Sequence, residues 1–337
     1  MNVLCTGGAG FIGANLLHLL VPRHPEHRFV VVDKLTYAAT PASLDPVRGA
    51  IVLVEADIAD EGAMERVFAE HAPELVLHLA AESHVDRSIA SPKEFLHTNV
   101  EGTFVLLEAA RRHWRGRTGV RFHHVGTDEV YGSLGDEGRF DEESPYDPSS
   151  PYSASKAASD HLVRAWGRTY GLPFTITHCS NNYGPDQVPE KLVPRMILAA
   201  LAREPLPVYG QGQNVRDWLY VADHCEAIWA VATRGRQGET YGVGGGTELR
   251  NLDVVERICR VIADMTRAPL AELLDLVRFV DDRPGHDLRY STDASKITDE
   301  LGWRPRESFE TGLRKTVRWY LDHEAWVKDA RARWEAA

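Results

Sequence analysis

Val3-Leu4-Cys5-Thr6-Gly7-Gly8-Ala9-Gly10-Phe11-Ile12-Gly13 is the stretch that decides the architecture of this chain. A short apolar run enters a glycine-rich turn, and the periodic segment Phe11 to Leu20 leaves it, so strand, tight turn and helix follow one another. Glycines at 7, 10 and 13 let the turn close, let a pyrophosphate approach the backbone and let the helix pack on the strand. The N–H groups at the helix start are then free to hold phosphate oxygens. The next apolar run, Arg28-Phe29-Val30-Val31-Val32, ends on Asp33. A carboxylate there accepts hydrogen bonds from an adenosine ribose and repels a 2′-phosphate, which predicts NAD over NADP. Lys34 beside it works against that preference.

Outward from this motif, short apolar runs keep alternating with helical patterns. Ile51-Val52-Leu53-Val54, Leu75-Val76-Leu77-His78-Leu79, Val120 to Val125 and Phe174-Thr175-Ile176-Thr177 read as strands. Pro92 to about Arg112 and Tyr152 to Tyr170 read as long helices between them. Apolar strands alternating with helices predict an α/β fold, a Rossmann-type doubly wound parallel sheet covered on both faces. Past residue 180 prolines and glycines come more often (Pro185, Pro189, Pro194, Pro205, Pro207, Gly210, Gly212) and the alternation breaks down. The expected division is an NAD-binding domain over 1–180, with 222–245 returning to it, and a smaller C-terminal substrate-binding lobe over 181–221 and 246–325. A helix over Ser308 to Leu321 closes that lobe, and 326–337 reads as a polar tail.

The 337 residues suffice for one large or two modest domains. A formal net charge of −11 leaves no overall field to attract nucleic acid or an anionic membrane, so a phosphorylated ligand must be held by local cations and backbone amides. Cys5, Cys179, Cys225 and Cys259 show neither a Cys-x-x-Cys pair nor metal spacing, so no disulfide framework and no metal centre is expected. The chain runs straight from Met1 into an apolar strand pattern and has no apolar run of about 18 residues, so neither a signal segment nor a membrane span is expected. The expected setting is cytoplasmic.

Tyr152-Ser153-Ala154-Ser155-Lys156 puts a phenol and an ammonium four residues apart on one helix face. A nearby cation favours phenolate, so Lys156 is expected to lower the Tyr152 pKa and make it a base toward a sugar hydroxyl. Val125-Gly126-Thr127-Asp128-Glu129-Val130-Tyr131-Gly132 places two adjacent acids at the end of a strand. Two carboxyls in one closed pocket resist double ionisation, so one can serve as acid and the other as base, and the residues alone leave open which does which.

With these elements together, the chain resembles the extended short-chain dehydrogenase/reductase superfamily, and within it the dTDP-glucose 4,6-dehydratase family, from the glycine-rich turn to about Pro305. The resemblance implies C4 oxidation of a nucleoside-diphosphate hexose, C5–C6 water elimination and C6 reduction, with NAD retained and a 4-keto-6-deoxy sugar formed. It assigns Asp128 as acid, Glu129 as base, Thr127 to the sugar O4, and Tyr152 with Lys156 to the oxidation. It implies a cofactor site of Gly7, Gly10, Phe11, Ile12, Gly13, Asp33, Lys34, Leu35, Thr36, Asp57, Ile58, Leu79, Ala80, Ala81, Ser83, Thr98, Tyr152, Lys156 and Asn182. For the substrate nucleotide sugar, dTDP-glucose, it implies Ser83, Thr127, Asn181, Glu190, Lys191, Leu192, Pro207, Tyr209, Arg216, Asn251, Arg283 and His286. Arg216 and Arg283 suit bidentate phosphate contact and Tyr209 suits stacking on the base.

The chain departs from the family pattern at Gly126, where serine is usual, at Ala39-Thr40, where Gly-Asn is usual, and at Asp186-Gln187-Val188, where an aromatic or histidine-rich stretch is usual. The last two departures touch fine specificity. By analogy with the superfamily, the helices over 92–112 and 152–170 form a homodimer contact. The rival readings are a sugar-nucleotide 4-epimerase or decarboxylase on the same scaffold, and a non-catalytic NAD-sensing Rossmann protein.

Overall fold

The computed structural model describes residues 1–335. In chain order its strands are β1 (Asn2–Thr6), β2 (Arg28–Asp33), β3 (Ile51–Glu55), β4 (Leu75–His78), β5 (Arg121–Thr127), β6 (Phe174–Cys179), β7 (Asn181–Tyr183), β8 (Leu206–Tyr209), β9 (Val215–Tyr220), β10 (Thr240–Val243), β11 (Glu248–Arg250) and β12 (Val277–Val280). A seven-stranded sheet runs β10-β6-β5-β4-β1-β2-β3, and all its pairings are parallel. Successive residues of β2 from Phe29 to Val32 are all buried because helices cover both faces, so the strand reads as continuously apolar. Each fully buried Val or Leu contributes roughly 1.5–3 kcal/mol. One face packs Leu4, Val30, Phe68, Leu106 and Ile176 together, and the other packs Val3, Leu16, Val31, Leu77 and Ile228.

Strand order reverses between β1 and β4, the switch point at which open α/β sheets leave a crevice beyond their carboxyl ends. A smaller body follows, with the sheet β11-β9-β7, the pair β12-β8 and its own core of Tyr183, Ile197, Leu206, Ile258, Phe309 and Val317. Strand β10 pairs with β6 in the main sheet, and the helix Val221–Arg234 packs on that sheet as well.

Three local expectations change. The helix expected over 92–112 is continuous from Pro92 to His113, but its backbone widens to a π-helical turn over Leu96–Glu101. Within it, Asn99 uses its amide to donate to Glu82 O and Ser155 Oγ, which ties the widened turn to the cavity wall. The tail from 326 is a helix, Glu324–Glu335, whose Trp326 and Ala330 enter the smaller core, and the Trp326 indole donates to Ser43 Oγ at 2.7 Å. Its last two residues lie outside the described residues. The helix Ser295–Leu301, assigned to the smaller lobe by position, instead packs Ile297 against Tyr241 and Val243 of β10, because the edge of the main sheet needs an apolar cover.

Candidate active site

The turn after β1 can exist only with glycine. Gly7 has φ +71°, and a Cβ there would lie 2.6 Å from Ala80 N, while a Cβ on Gly13 would lie 2.2 Å from Gly7 O. The helix Phe11–Arg23 begins at Gly10 with no side-chain cap and no acid in its first turn, so its leading N–H groups and positive dipole end are open to an anion. At the end of β2, Asp33 is buried and accepts from Ala9 N and Leu35 N, both at 2.9 Å. An open helix start, a backbone-tight glycine turn and a buried acid at the next strand end fit a dinucleotide.

The catalytic helix is set by its first residues. Ser150 and Ser153 form a reciprocal capping box around Pro151, and Gly171, at φ 70°, ends the helix Pro151–Tyr170. Tyr152 therefore sits in the first turn and Lys156 one turn on, both buried against the sheet. The Lys156 ammonium donates to Val125 O at 2.8 Å and lies 3.4 Å from His124 Nε2. Burial lowers its pKa, and Asp160 works against that.

The expected lowering of the Tyr152 pKa is not what the protein alone produces. Burial raises it well above the ordinary phenol value, the Glu129 charge adds to the rise, and the Thr127 hydroxyl opposes it. The Lys156 ammonium donates to Val125 O, and no hydrogen bond joins it to the phenol among the described residues.

Beyond β5 the chain turns over Asp128–Tyr131, with Thr127 Oγ1 accepting from Glu129 N at 3.3 Å. Asp128 is 1% exposed, so it faces the interior and not bulk solvent. Burial raises its pKa well above the ordinary carboxyl value, and the charges of Glu129 and Asp217 push the same way. Half-buried Glu129 is also raised by burial, but Lys191, Arg283 and Arg216 pull it back. Anions outweigh cations around Asp128, and cations outweigh anions around Glu129. That asymmetry favours the protonated form at 128 and the ionised form at 129.

A single cavity along the carboxyl ends of β1, β2, β4, β5 and β6 is lined by Gly7, Gly10, Phe11, Ile12, Gly13, Asp33, Lys34, Thr36, Ile58, Leu79, Ala80, Ala81, Ser83 and Thr98. The same wall carries Thr127, Asp128, Glu129, Tyr152, Lys156, Asn181, Asn182, Glu190 and Lys191. Other expected residues do not line it. Leu35 takes a left-handed conformation (φ 53°) and packs into the core. Asp57 turns to Lys34 at 3.4 Å and His97 at 3.6 Å. Leu192 packs into the smaller core, Pro207 lies in β8 and Asn251 opens the helix Asn251–Thr266. Tyr209 donates to Asp86 at 3.2 Å, Arg283 lies 3.6 Å from Asp86, and His286 lies 2.6 Å from Asp282. Arg216 is committed to the carbonyls of Val215 and Asp287 and stacks over Tyr290. These cations form an outer layer whose charge reaches Glu129.

Some lining residues escaped the sequence reading as site residues. Glu82, Cys179 and Ser180 line the cavity, as do Ala39, Gln187 and Val188 from the two departing stretches. Gln187 donates to Asn182 O at 3.0 Å. Asp217, next to Arg216 in β9, is held by Gly245 N and Thr247 N, and burial pushes its pKa up to about 6. The one sequence signal for it was its neighbour Arg216.

The GDP-mannose 4,6 dehydratase family model matches residues 4–316. The chain is 55% identical to a probable dTDP-glucose 4,6-dehydratase of Sinorhizobium fredii, covering 98% of this chain and 96% of that one. It is 51% identical to dTDP-glucose 4,6-dehydratase 1 of Escherichia coli K12, covering 98% and 96%. Among solved structures it is similar to dTDP-glucose 4,6-dehydratase DesIV of Streptomyces venezuelae with NAD and TYD bound, at a TM-score of 0.89 and 46% identity over 98% of this chain and 100% of that one. The UDP-glucose 4-epimerase of Thermus thermophilus, complexed with NAD, shares the fold at a TM-score of 0.86 but only 30% identity, over 96% and 100%.

Proposed function

The chain belongs to the GDP-mannose 4,6 dehydratase family and, within it, to the dTDP-glucose 4,6-dehydratases, and from that premise we propose how its own residues carry out the NAD-dependent dehydration of dTDP-glucose. The observation that carries the proposal is the shared cavity. Asp128, Glu129 and Tyr152 face the same space as the open helix start and Asp33. The cofactor would be held by the glycine turn, Asp33 and the lining residues from Leu79 to Ser83.

NAD, when bound, supplies the hydride acceptor for C4 and the donor for C6, so the cycle is redox-neutral. Tyr152 takes the O4 proton, and Thr127, beside it, hydrogen-bonds O4. The ketone so formed at C4 acidifies the C5 proton, which Glu129 accepts and returns to C5 when C6 is reduced. Asp128, kept protonated by burial and by the anions around it, protonates the departing C6 hydroxyl. Burial already keeps bulk water from Asp128.

Residues 1–180 with 222–245 are proposed to hold NAD, and 181–221 with 246–325 to hold the nucleotide, with Ser295–Leu301 set apart as a cover for the main sheet. Among the substrate-side residues, Ser83, Asn181, Glu190 and Lys191 contact the sugar and diphosphate. Arg216, Arg283, His286, Tyr209, Asn251, Pro207 and Leu192 form the layer behind them. A homodimer through the helices Gly102–His113 and Pro151–Tyr170 is supported by Leu96 and Phe104, which stay 57% and 37% exposed beside them. No described helix is long and apolar enough to cross a membrane. Four free, buried thiols support a reducing, cytoplasmic setting.

Incubation of the purified protein with dTDP-glucose tests the reaction. The expected product is the 4-keto-6-deoxy sugar nucleotide with no net formation of reduced cofactor. A galactose or pentose product would overturn the proposal.

A further inference from the structure

The catalytic helix carries more buried charge than the proton transfer at Tyr152 requires. Asp160 is fully buried, with Oδ2 2.9 Å from His178 Nε2 and Oδ1 3.1 Å from His124 Nε2. Tyr146 donates to Oδ2 at 3.1 Å. Burial works to raise the Asp160 pKa, yet the two histidines hold it well below the ordinary carboxylate range. His124 Nε2 in turn lies 3.4 Å from the Lys156 ammonium. The other nitrogen of His178, Nδ1, lies 2.6 Å from Tyr131 OH. With Nε2–H given to the carboxylate, Nδ1 is the acceptor and the tyrosine the donor. One imidazole therefore touches both Asp160, whose charge acts on the Lys156 ammonium, and the last residue of the turn that bears Asp128 and Glu129.

The space for that imidazole is made by a missing side chain. Gly126 of β5 is the register partner of His178 of β6. A Cβ at 126 would lie 2.5 Å from His178 Cδ2 and 3.0 Å from its Nε2. A serine at 126 could not coexist with His178 as it stands.

We propose that His178, admitted by Gly126, is a positioning residue that locks the Lys156 ammonium and the Asp128–Tyr131 turn into one unit. The contacts stand by themselves, and the identity of the reacting groups rests on the dehydratase reading above. The ring fixes Asp160 on one side and Tyr131 on the other, so its loss frees both halves of the reacting machinery while leaving the substrate-facing residues in place.

The test is a double-mutant cycle of Gly126→Ser and His178→Ala, with kcat, KM for dTDP-glucose, NAD content and thermal unfolding measured for each protein. Each single variant is expected to lose about tenfold or more in kcat. KM should stay within about twofold, as should the further cost of Gly126→Ser once the ring is gone. If His178→Ala does not fold, His178→Asn replaces it, with the same non-additivity expected. Costs that multiply independently overturn the inference. So does a loss confined to KM, or an unchanged kcat per NAD-bearing subunit with only a lower unfolding temperature. An inactive wild type would overturn the reaction assignment instead, whereas an active wild type with an additive cycle overturns only the role of His178.

Discussion

The two ends of the cavity are built from different materials. At the cofactor end the backbone does most of the recognition: a glycine turn with no room for a Cβ, an uncapped helix start, and one acid at a strand end. At the reaction end, buried side chains set one another's charge: Asp128 against Glu129 and Asp217, Glu129 against Lys191, Arg283 and Arg216. Backbone recognition is robust, since it depends on covalent geometry and local turns. Electrostatic recognition is conditional, because each group's protonation depends on neighbours brought from distant parts of the chain. Substitutions at the reaction end should therefore damage turnover and spare cofactor binding, and substitutions at the cofactor end should do the reverse.

The largest expected effect is Tyr152→Phe. Removing the proposed base for O4 should lower kcat by about 10³- to 10⁴-fold, near the upper range for a general acid–base group, while NAD remains bound. Loss of NAD along with activity would break the division between the two ends. Glu129→Gln comes next, with about a 10²- to 10³-fold loss of product formation. Because only the C5 proton acceptor is removed, C4 oxidation should persist, and reduced cofactor should accumulate in a single-turnover absorbance trace. A trace without that accumulation would mean that Glu129 acts before or during the oxidation.

The same contrast explains what could be read from the chain alone. Gly7, Gly10 and Gly13, the apolar run of β2 and Asp33 announce themselves, because each is a local response to a backbone demand. Tyr152 and Lys156 were legible as a pair since helical spacing puts them on one face. The sign of the Tyr152 shift was not legible: burial and Glu129 dominate it, and neither the burial nor the approach of a residue from another strand end is visible in a five-residue motif. Asp217 is hidden for the same reason, since its charge acts on Asp128 only once the fold brings β9 near the end of β5. The helical tail was read as polar because its Trp326 stands among charged residues, although that one indole finds both a core and an acceptor.

At the cofactor end, Asp33→Asn should leave kcat on saturating NAD nearly unchanged and weaken NAD. A hydrogen bond to a charged group is worth about 1.5–3 kcal/mol, roughly a ten- to hundredfold rise in Kd. The loss of the carboxylate's repulsion should also improve NADP relative to NAD, with Lys34 left as the nearest cation. Titration calorimetry with both cofactors checks this. An equal loss for both would show that Asp33 matters only through its bonds to Ala9 N and Leu35 N.

The smallest effect sharpens the electrostatic half. Burial raises the Glu129 pKa, and Lys191 is the foremost cation opposing that rise. Glu129 must be ionised to accept the C5 proton, so kcat should fall as pH drops through its folded pKa. Asp128 must be protonated to assist the leaving hydroxyl, so kcat should fall again as pH rises through its own raised value. Lys191→Met removes the cation, lets burial raise Glu129 further, and should move the acid limb of the kcat–pH profile toward higher pH. The alkaline limb belongs to Asp128, whose shift comes from burial and from anions, with Arg216 as its opposing cation, so it should stay where it is. Lys191 also donates to Ser83 O at 2.6 Å on the cavity wall, so KM is expected to rise, and the pH limb in kcat is the quantity to read. A shift of both limbs together would mean that the two carboxyls titrate as one coupled pair, and the separate assignment of acid and base to 128 and 129 would have to be withdrawn.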